Sequence, residues 1–204
     1  GGAGGPAEEL DGLPGAFLVN HGSFNPVHRG HIVMMERAKA RIEQMGFRVE
    51  FGVLAITHAG HIRAKGHEPL PDSFRAQLIK LCAEDEGAAG WLSCDTRGVD
   101  FNSSKTMIRR LLGPANPGLV GFAVVGADTA LRYNGYKADA VVVARAGSEL
   151  APEDPGSRLF CAAADAGDET MDFSSTRVRE AAGALGRSAA GRARPRSADL
   201  PPFE

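Results

Sequence analysis

Apolar and polar positions along the chain alternate between two periods. Residues 16–20 are an apolar run closed by Asn20, the pattern of a strand buried on both faces. Met35, Ala38, Ile42 and Met45 then recur at helical spacing, and residues 49–56 form a second strand-like run. After the polar loop 57–71, Pro71-Asp72-Ser73 opens a helix that carries Phe74, Leu78, Leu81 and Cys82 on one face. Further on come a short strand at 91–94, a helix at 105–112 closed by Gly113-Pro114, and strands at 119–125, 140–144 and 158–162. A last helix spans 175–185. Residues 1–15, rich in Gly, Pro and acid, are expected to form a disordered leader. Residues 185–204, rich in Arg, Ala and Pro, are expected to form a mobile tail.

Strand–helix alternation of this kind specifies the α/β class: one Rossmann-like domain over 16–184, built on a doubly wound parallel sheet. Such sheets bind ligands beyond the carboxyl ends of their strands, at the point where strand order reverses. Two turns are expected on that rim, one after residue 20 and one at Gly126-Ala127-Asp128.

The turn after the first strand reads Gly22-Ser23-Phe24-Asn25-Pro26-Val27-His28-Arg29-Gly30-His31 and leads into a helix. Backbone N–H groups point outward at a helix start, and the helix dipole favours an anion there. Gly22 lets a phosphate approach the backbone, and Pro26 stiffens the turn. His28 and His31 can donate toward the same anion. As a metal pair they lack an Asp, Glu or Cys nearby for a third ligand, so no metal site is expected.

A second constellation, Phe173-Ser174-Ser175-Thr176-Arg177-Val178-Arg179, opens the last helix. Ser and Thr are good helix caps, which accounts for part of it. Capping does not explain two arginines, each of which opposes the macrodipole by about 0.3–1 kcal/mol. An anion held at this helix start would explain them. In the loop 57–71, Lys65 is a candidate phosphate contact or a plain solvated lysine, and His58, His61 and His67 have no metal-like partners. Gly126 and Asp128 can meet a nucleotide and its ribose, or form an ordinary capped turn. Trp91 heads a strand, as a core residue or as a stacking platform.

Composition narrows the classes of partner. A net charge of −2 over 204 residues gives no basic footprint for nucleic acid. Three scattered cysteines make neither a disulfide framework nor a zinc site. No apolar run reaches the ~18 residues of a membrane span. The protein is expected inside the cell, in the cytoplasm, the nucleus or an organelle, with self-association into a homo-oligomer left open.

The strings Gly-Ser-Phe-Asn-Pro-x-His-x-Gly-His and Ser-Ser-Thr-x-x-Arg resemble those of the nucleotidyltransferase superfamily of adenylyl- and cytidylyltransferases. More narrowly, the chain is similar to nicotinamide/nicotinate mononucleotide adenylyltransferases over about residues 16–184. Residues 56–75, the string Trp91-Leu92-Ser93-Cys94-Asp95-Thr96, Gly126-Ala127-Asp128 and residues 141–147 carry that narrower likeness. The resemblance implies transfer of AMP from ATP, with Mg2+, to a pyridine mononucleotide. It implies catalytic roles for His28, His31, Lys65 and Arg179. It implies ATP contacts at Gly22, Ser23, Phe24, Gly126, Asp128, Ser174, Ser175 and Thr176. For the mononucleotide it implies Asn25, Trp91, Thr96 and Arg97. Arg97 stands where the family carries a tryptophan. Either its guanidinium reaches the carboxylate of nicotinate mononucleotide, or it faces solvent and Tyr133 or Tyr136 stacks on the ring. The alternatives are another phosphorylated small molecule as acceptor, or a non-catalytic nucleotide-binding module of the same fold.

Overall fold

The computed structural model describes residues 12–98, 101–133, 138–145, 148, 150, 152–164 and 173–192, with backbone alone for residues 101, 133 and 185–192. In chain order the elements are β1 (Gly15–Gly22), α1 (Arg29–Gln44), β2 (Arg48–Ile56), α2 (Ala59–Ala64), α3 (Asp72–Asp85), β3 (Leu92–Asp95) and α4 (Phe101–Leu112). They continue with β4 (Val120–Gly126), α5 (Ala127–Tyr133), β5 (Ala140–Val143), a 3-10 turn at Pro155–Ser157, β6 (Leu159–Ala162) and α6 (Ser175–Arg192). The six strands are parallel and lie in the order β3-β2-β1-β4-β5-β6. This is the expected Rossmann-like α/β sheet, with its reversal of order between β1 and β4.

The strands are apolar on both faces because both are covered. On one face Leu18, Leu54, Phe122 and Val141 meet Ile32, Met35, Ala38 and Ile42 of α1 and Ile79 and Ala83 of α3. The helical spacing seen in the sequence puts these α1 residues in one fully buried stripe. On the other face Phe17, Val19 and Ala55 meet Ile108 of α4. Val125, Ala127 and Val142 form a smaller cluster under α5. Gly121 allows the tight fit of Phe17, since a Cβ there would lie 2.3 Å from the Phe17 ring.

One helix was not expected, and a second was expected only if Asp128 caps a plain turn after β4. The loop 57–71 contains α2, which buries only Ile62 and is started by His58, whose Nδ1 accepts the Gly60 N–H at 3.0 Å. A single buried residue leaves no apolar period to detect. α5 starts directly at the end of β4, so its seven residues look like part of the turn. α4 begins at Phe101 rather than 105, and α6 runs to Arg192, past the start of the expected tail. Residues 1–11 and 193–204, and the side chains of Tyr133 and Tyr136, lie outside the described residues.

β1 and β4 pair only over Ala16–Val19, whereas β1 stays paired to β2 up to Gly22. Past Val19 the two central strands part. The buried Asn20 side chain spans the gap by donating to the Val124 carbonyl at 2.7 Å. A crevice therefore opens at the carboxyl ends, on the line where strand order reverses.

Candidate active site

That crevice is lined by Asn20, Gly22, His31, Gly126, Asp128 and Arg145, among others. Gly22 and Phe24 of the turn at residues 22–26 form part of one wall. Here the chain turns on Phe24, whose φ of +40 is rare for a non-glycine residue. The buried Phe24 ring lies back over Gly22, where a Cβ would sit 3.0 Å from it. The following Asn25–Pro26 peptide is cis.

Four carbonyls of this turn are held by protein donors. Gly22 O accepts the Thr57 N–H at 2.8 Å, and Ser23 O accepts Arg75 Nη1 at 2.8 Å. Asn25 O accepts Arg179 Nη1 at 2.5 Å, and Pro26 O accepts the Ser175 hydroxyl at 2.7 Å. The two strings that stand out in the sequence thus meet in space. The Asn25 side chain is buried and bound within the protein. Its Nδ2 donates to Glu68 O at 2.9 Å and its Oδ1 accepts the Leu70 N–H at 2.8 Å, fastening the loop before α3 to the turn.

His28 is the N-cap of α1 and His31 its third residue, so both rings stand at the helix start, 3.8 Å apart between centroids. The His28 N–H donates to His31 Nδ1 at 3.2 Å. An accepting Nδ1 leaves the proton of neutral His31 on Nε2, the nitrogen free to donate elsewhere. The edge-on Phe24 ring, 4.9 Å away, fixes the imidazole plane. Burial lowers the His31 pKa to about 3; the neighbouring His28 and then Arg145 push the same way, against a backbone hydrogen bond that raises it. Burial, and then Arg145, lowers His28 to about 4. Both rings are neutral at neutral pH, and the nearby permanent charge is that of Arg145. His28 Nδ1 is buried without a hydrogen-bond partner in the protein.

The start of α6 packs against the far end of the turn, at Asn25 and Pro26. Ser174 is its N-cap, with Oγ accepting the Arg177 N–H at 3.2 Å. Thr176 Oγ1 accepts Arg179 Nη2 at 3.0 Å. Arg179 is thus divided between the turn and its own helix, which leaves other guanidinium N–H groups for an anion.

Other expected residues stand apart. Lys65 is exposed at the C-cap of α2 and does not line the crevice. Trp91 precedes β3, away from the carboxyl-end rim; its Nε1 donates to Glu36 at 2.7 Å and Lys39 lies over its ring. Thr96 and Arg97 follow β3, with the Arg97 fork gripping Asp95, which also accepts Ser104 Oγ at 3.0 Å. Sequence reasoning missed Asn20, Arg75 and Arg145 as site residues. Arg75 and Arg145 fell within the stretches of resemblance, and a polar Asn20 ending an apolar run was the available signal. Among the described residues no group of three or more His, Cys, Asp or Glu is arranged to hold a metal ion. Among them, too, no helix is long and apolar enough to cross a membrane.

Fold and site together define an α/β protein with a crevice at the switch point of its parallel sheet. Residues 19–181 match the cytidylyltransferase-like family, and the chain belongs to it; it is a protein of the nucleotidyltransferase type. Among solved structures it is similar to a Plasmodium falciparum nicotinic acid mononucleotide adenylyltransferase complexed with NaAD. That likeness has a TM-score of 0.58 at 9% identity and covers 81% of this chain and 82% of that one. A search of curated proteins finds no match.

Proposed function

We propose that the protein transfers AMP from ATP to nicotinamide or nicotinate mononucleotide, forming NAD or its deamido form and releasing pyrophosphate. The observation that carries this reading is the pair of neutral, half-buried histidines at the start of α1, beside a turn that the α6 arginine also grips. A phosphate oxygen of the mononucleotide attacks the α-phosphorus of ATP. The bond to the β-phosphate breaks, and its electron pair leaves with pyrophosphate. A phosphate oxygen is already nucleophilic at neutral pH, so the chain needs no general base. Its task is positioning and stabilisation of the charge that grows on the phosphoryl oxygens.

His31 Nε2–H is the donor set toward that charge, from a helix start that favours anions. Neutral imidazoles hold the triphosphate less tightly in the ground state than two cations would. Arg179 and Arg145 supply permanent positive charge at the edges of the site, and Gly126 and Asp128 meet the adenosine. Mg2+ enters as part of the ATP complex, held by phosphates and water. The choice of a pyridine acceptor is supported by the sequence resemblance and by the substrate class of the Plasmodium neighbour.

The test is pyrophosphate release by the purified protein with Mg·ATP and each pyridine mononucleotide. Parallel reactions carry CTP in place of ATP, or a phosphopantetheine acceptor. Turnover with ATP and a pyridine mononucleotide is expected. Release only with CTP, or only with the other acceptor, reassigns the substrate. No release with any pair overturns the enzymatic reading.

A further inference from the structure

Arg75 is the largest fully buried side chain among the described residues, and it is charged. It stands in the first turn of α3, yet its fork reaches two other segments. Nη1 donates to Ser23 O at 2.8 Å, and Nη2 donates to Thr57 O at 3.0 Å and to Asp72 at 2.7 Å. Only a planar guanidinium can present several donors to separated acceptors at once. The node is not saturated. Arg75 Nε and the Thr57 hydroxyl are both buried and without a protein partner. A residue serving only to join segments would have its buried donors matched.

What the node controls is the direction of two peptide planes. In a trans peptide the C=O and the following N–H point opposite ways. Drawing Ser23 C=O toward α3 turns the Phe24 N–H away from it. Drawing Gly22 C=O onto the Thr57 N–H does the same for Ser23. Gly22 and Phe24 line the crevice, and among the described residues neither redirected N–H has a backbone acceptor.

We propose that Arg75 is a positioning residue of nucleotidyl transfer: from inside the fold it holds the carbonyls of Ser23 and Thr57 back, so that the turn offers N–H groups to the phosphates. The inference rests on the proposed function, but pyrophosphate binding tests it separately.

The experiment compares the full-length wild type with Arg75→Lys, Arg75→Met, Asp72→Asn and the exposed α3 control Lys80→Ala. Each is measured for Tm, for pyrophosphate binding by calorimetry, and for kcat and KM well below its Tm. A lysine keeps the charge but cannot span Ser23 and Thr57. It should fold, bind pyrophosphate about tenfold more weakly and lose about a hundredfold in kcat, the scale set by misplacing a catalytic group by an ångström. Asp72, half exposed, only orients the fork, so Asp72→Asn should lose about two- to fivefold in kcat at unchanged Tm, less than the tenfold that one lost donor costs. Lys80→Ala should match wild type. A structural role predicts instead a lowered Tm with wild-type binding and kcat in the molecules that remain folded, and that result in Arg75→Lys overturns the proposal. Should Arg75→Met fail to fold, Arg75→Lys and Asp72→Asn decide. If the wild type releases no pyrophosphate with any substrate pair, the functional reading fails while the binding comparison still tests Arg75.

Discussion

The turn at residues 22–26 is anchored twice, and the two anchors differ in kind. At its β1 end the carbonyls of Gly22 and Ser23 are held from within the fold, by Thr57 and the buried Arg75. At its α1 end those of Asn25 and Pro26 are held by Arg179 and Ser175 of α6, a helix whose described contacts come from its first two turns. Interior hydrogen bonds are electrostatically stronger than those at the surface, where water competes. The inner anchor ends on a fully buried side chain and the outer one on half-buried side chains of α6, so the outer one is expected to open first, as a clasp.

The largest effect is expected between the anchors, at His31. His31→Ala removes the donor proposed to meet the phosphoryl charge, and kcat should fall by about a hundredfold or more, or roughly 2.7–4 kcal/mol of barrier. A loss under about tenfold in a folded variant would end that assignment. At the outer anchor, Arg179→Ala should raise the KM for ATP or lower kcat by about tenfold, the scale of one charge-assisted contact of about 1.5–3 kcal/mol. Arg177→Ala should do much less, because it is Arg179 whose guanidinium donates to the Asn25 carbonyl. Equal effects would mean a generally basic helix start instead of a clasp.

Acid should distinguish the histidines from the arginines. An anion favours the charged form of a nearby imidazole, so binding must raise the lowered His28 and His31 pKa values. Pyrophosphate binding near pH 5 should take up protons, and binding at pH 8 should not. Calorimetry in buffers of different ionisation enthalpy reads this directly, and proton release at pH 5 would reverse the sign of the argument. The same shifts bear on stability. The unfolded chain gains protons on these residues as pH falls through 6.5, and the folded one only near 4 and 3. Their contribution is complete above pH 6.5 and declines as pH drops toward 4.

Ser175→Ala removes a single neutral hydrogen bond to Pro26, at a cost of about 0.5–1.5 kcal/mol. Amide exchange should quicken at the start of α6 and stay unchanged in β1 and β2. If β1 responds as strongly, the two anchors are one cooperative unit. The smallest effect is expected at Arg97, whose fork is taken by Asp95. Arg97→Ala should leave the kcat/KM ratio for nicotinate over nicotinamide mononucleotide within about twofold. A tenfold change, about 1.4 kcal/mol, would restore a direct role in choosing the acceptor.

The α/β sheet and both site strings were legible in the sequence because each rests on local order. Apolar runs and helical spacing mark the elements, and residue types that suit phosphates sit together in 22–31 and 174–179. What escaped depends on distant partners. Arg75 is one arginine in an ordinary helix start until the fold puts it under Ser23, 52 residues away. Asn20 matters only because β4 departs from β1 beside it. From the sequence Trp91 reads as a core residue or as a platform for stacking. The fold sets it before β3, with its indole N–H on Glu36 of α1. The short α2 and α5 lie below the length at which periodicity can announce a helix.

The outer anchor also carries a schedule. Pro26 waits for Ser175 and Asn25 for Arg179, separations of 149 and 154 residues. A chain growing from its N-terminus completes the phosphate turn early, along with β1 and the start of α1. All six strands are in hand by Ala162, before either partner exists. A chain interrupted before residue 175 thus holds both histidines and every strand but lacks the donors for Asn25 and Pro26. An unfinished chain of that length carries the strands of the sheet without the second anchor of its turn.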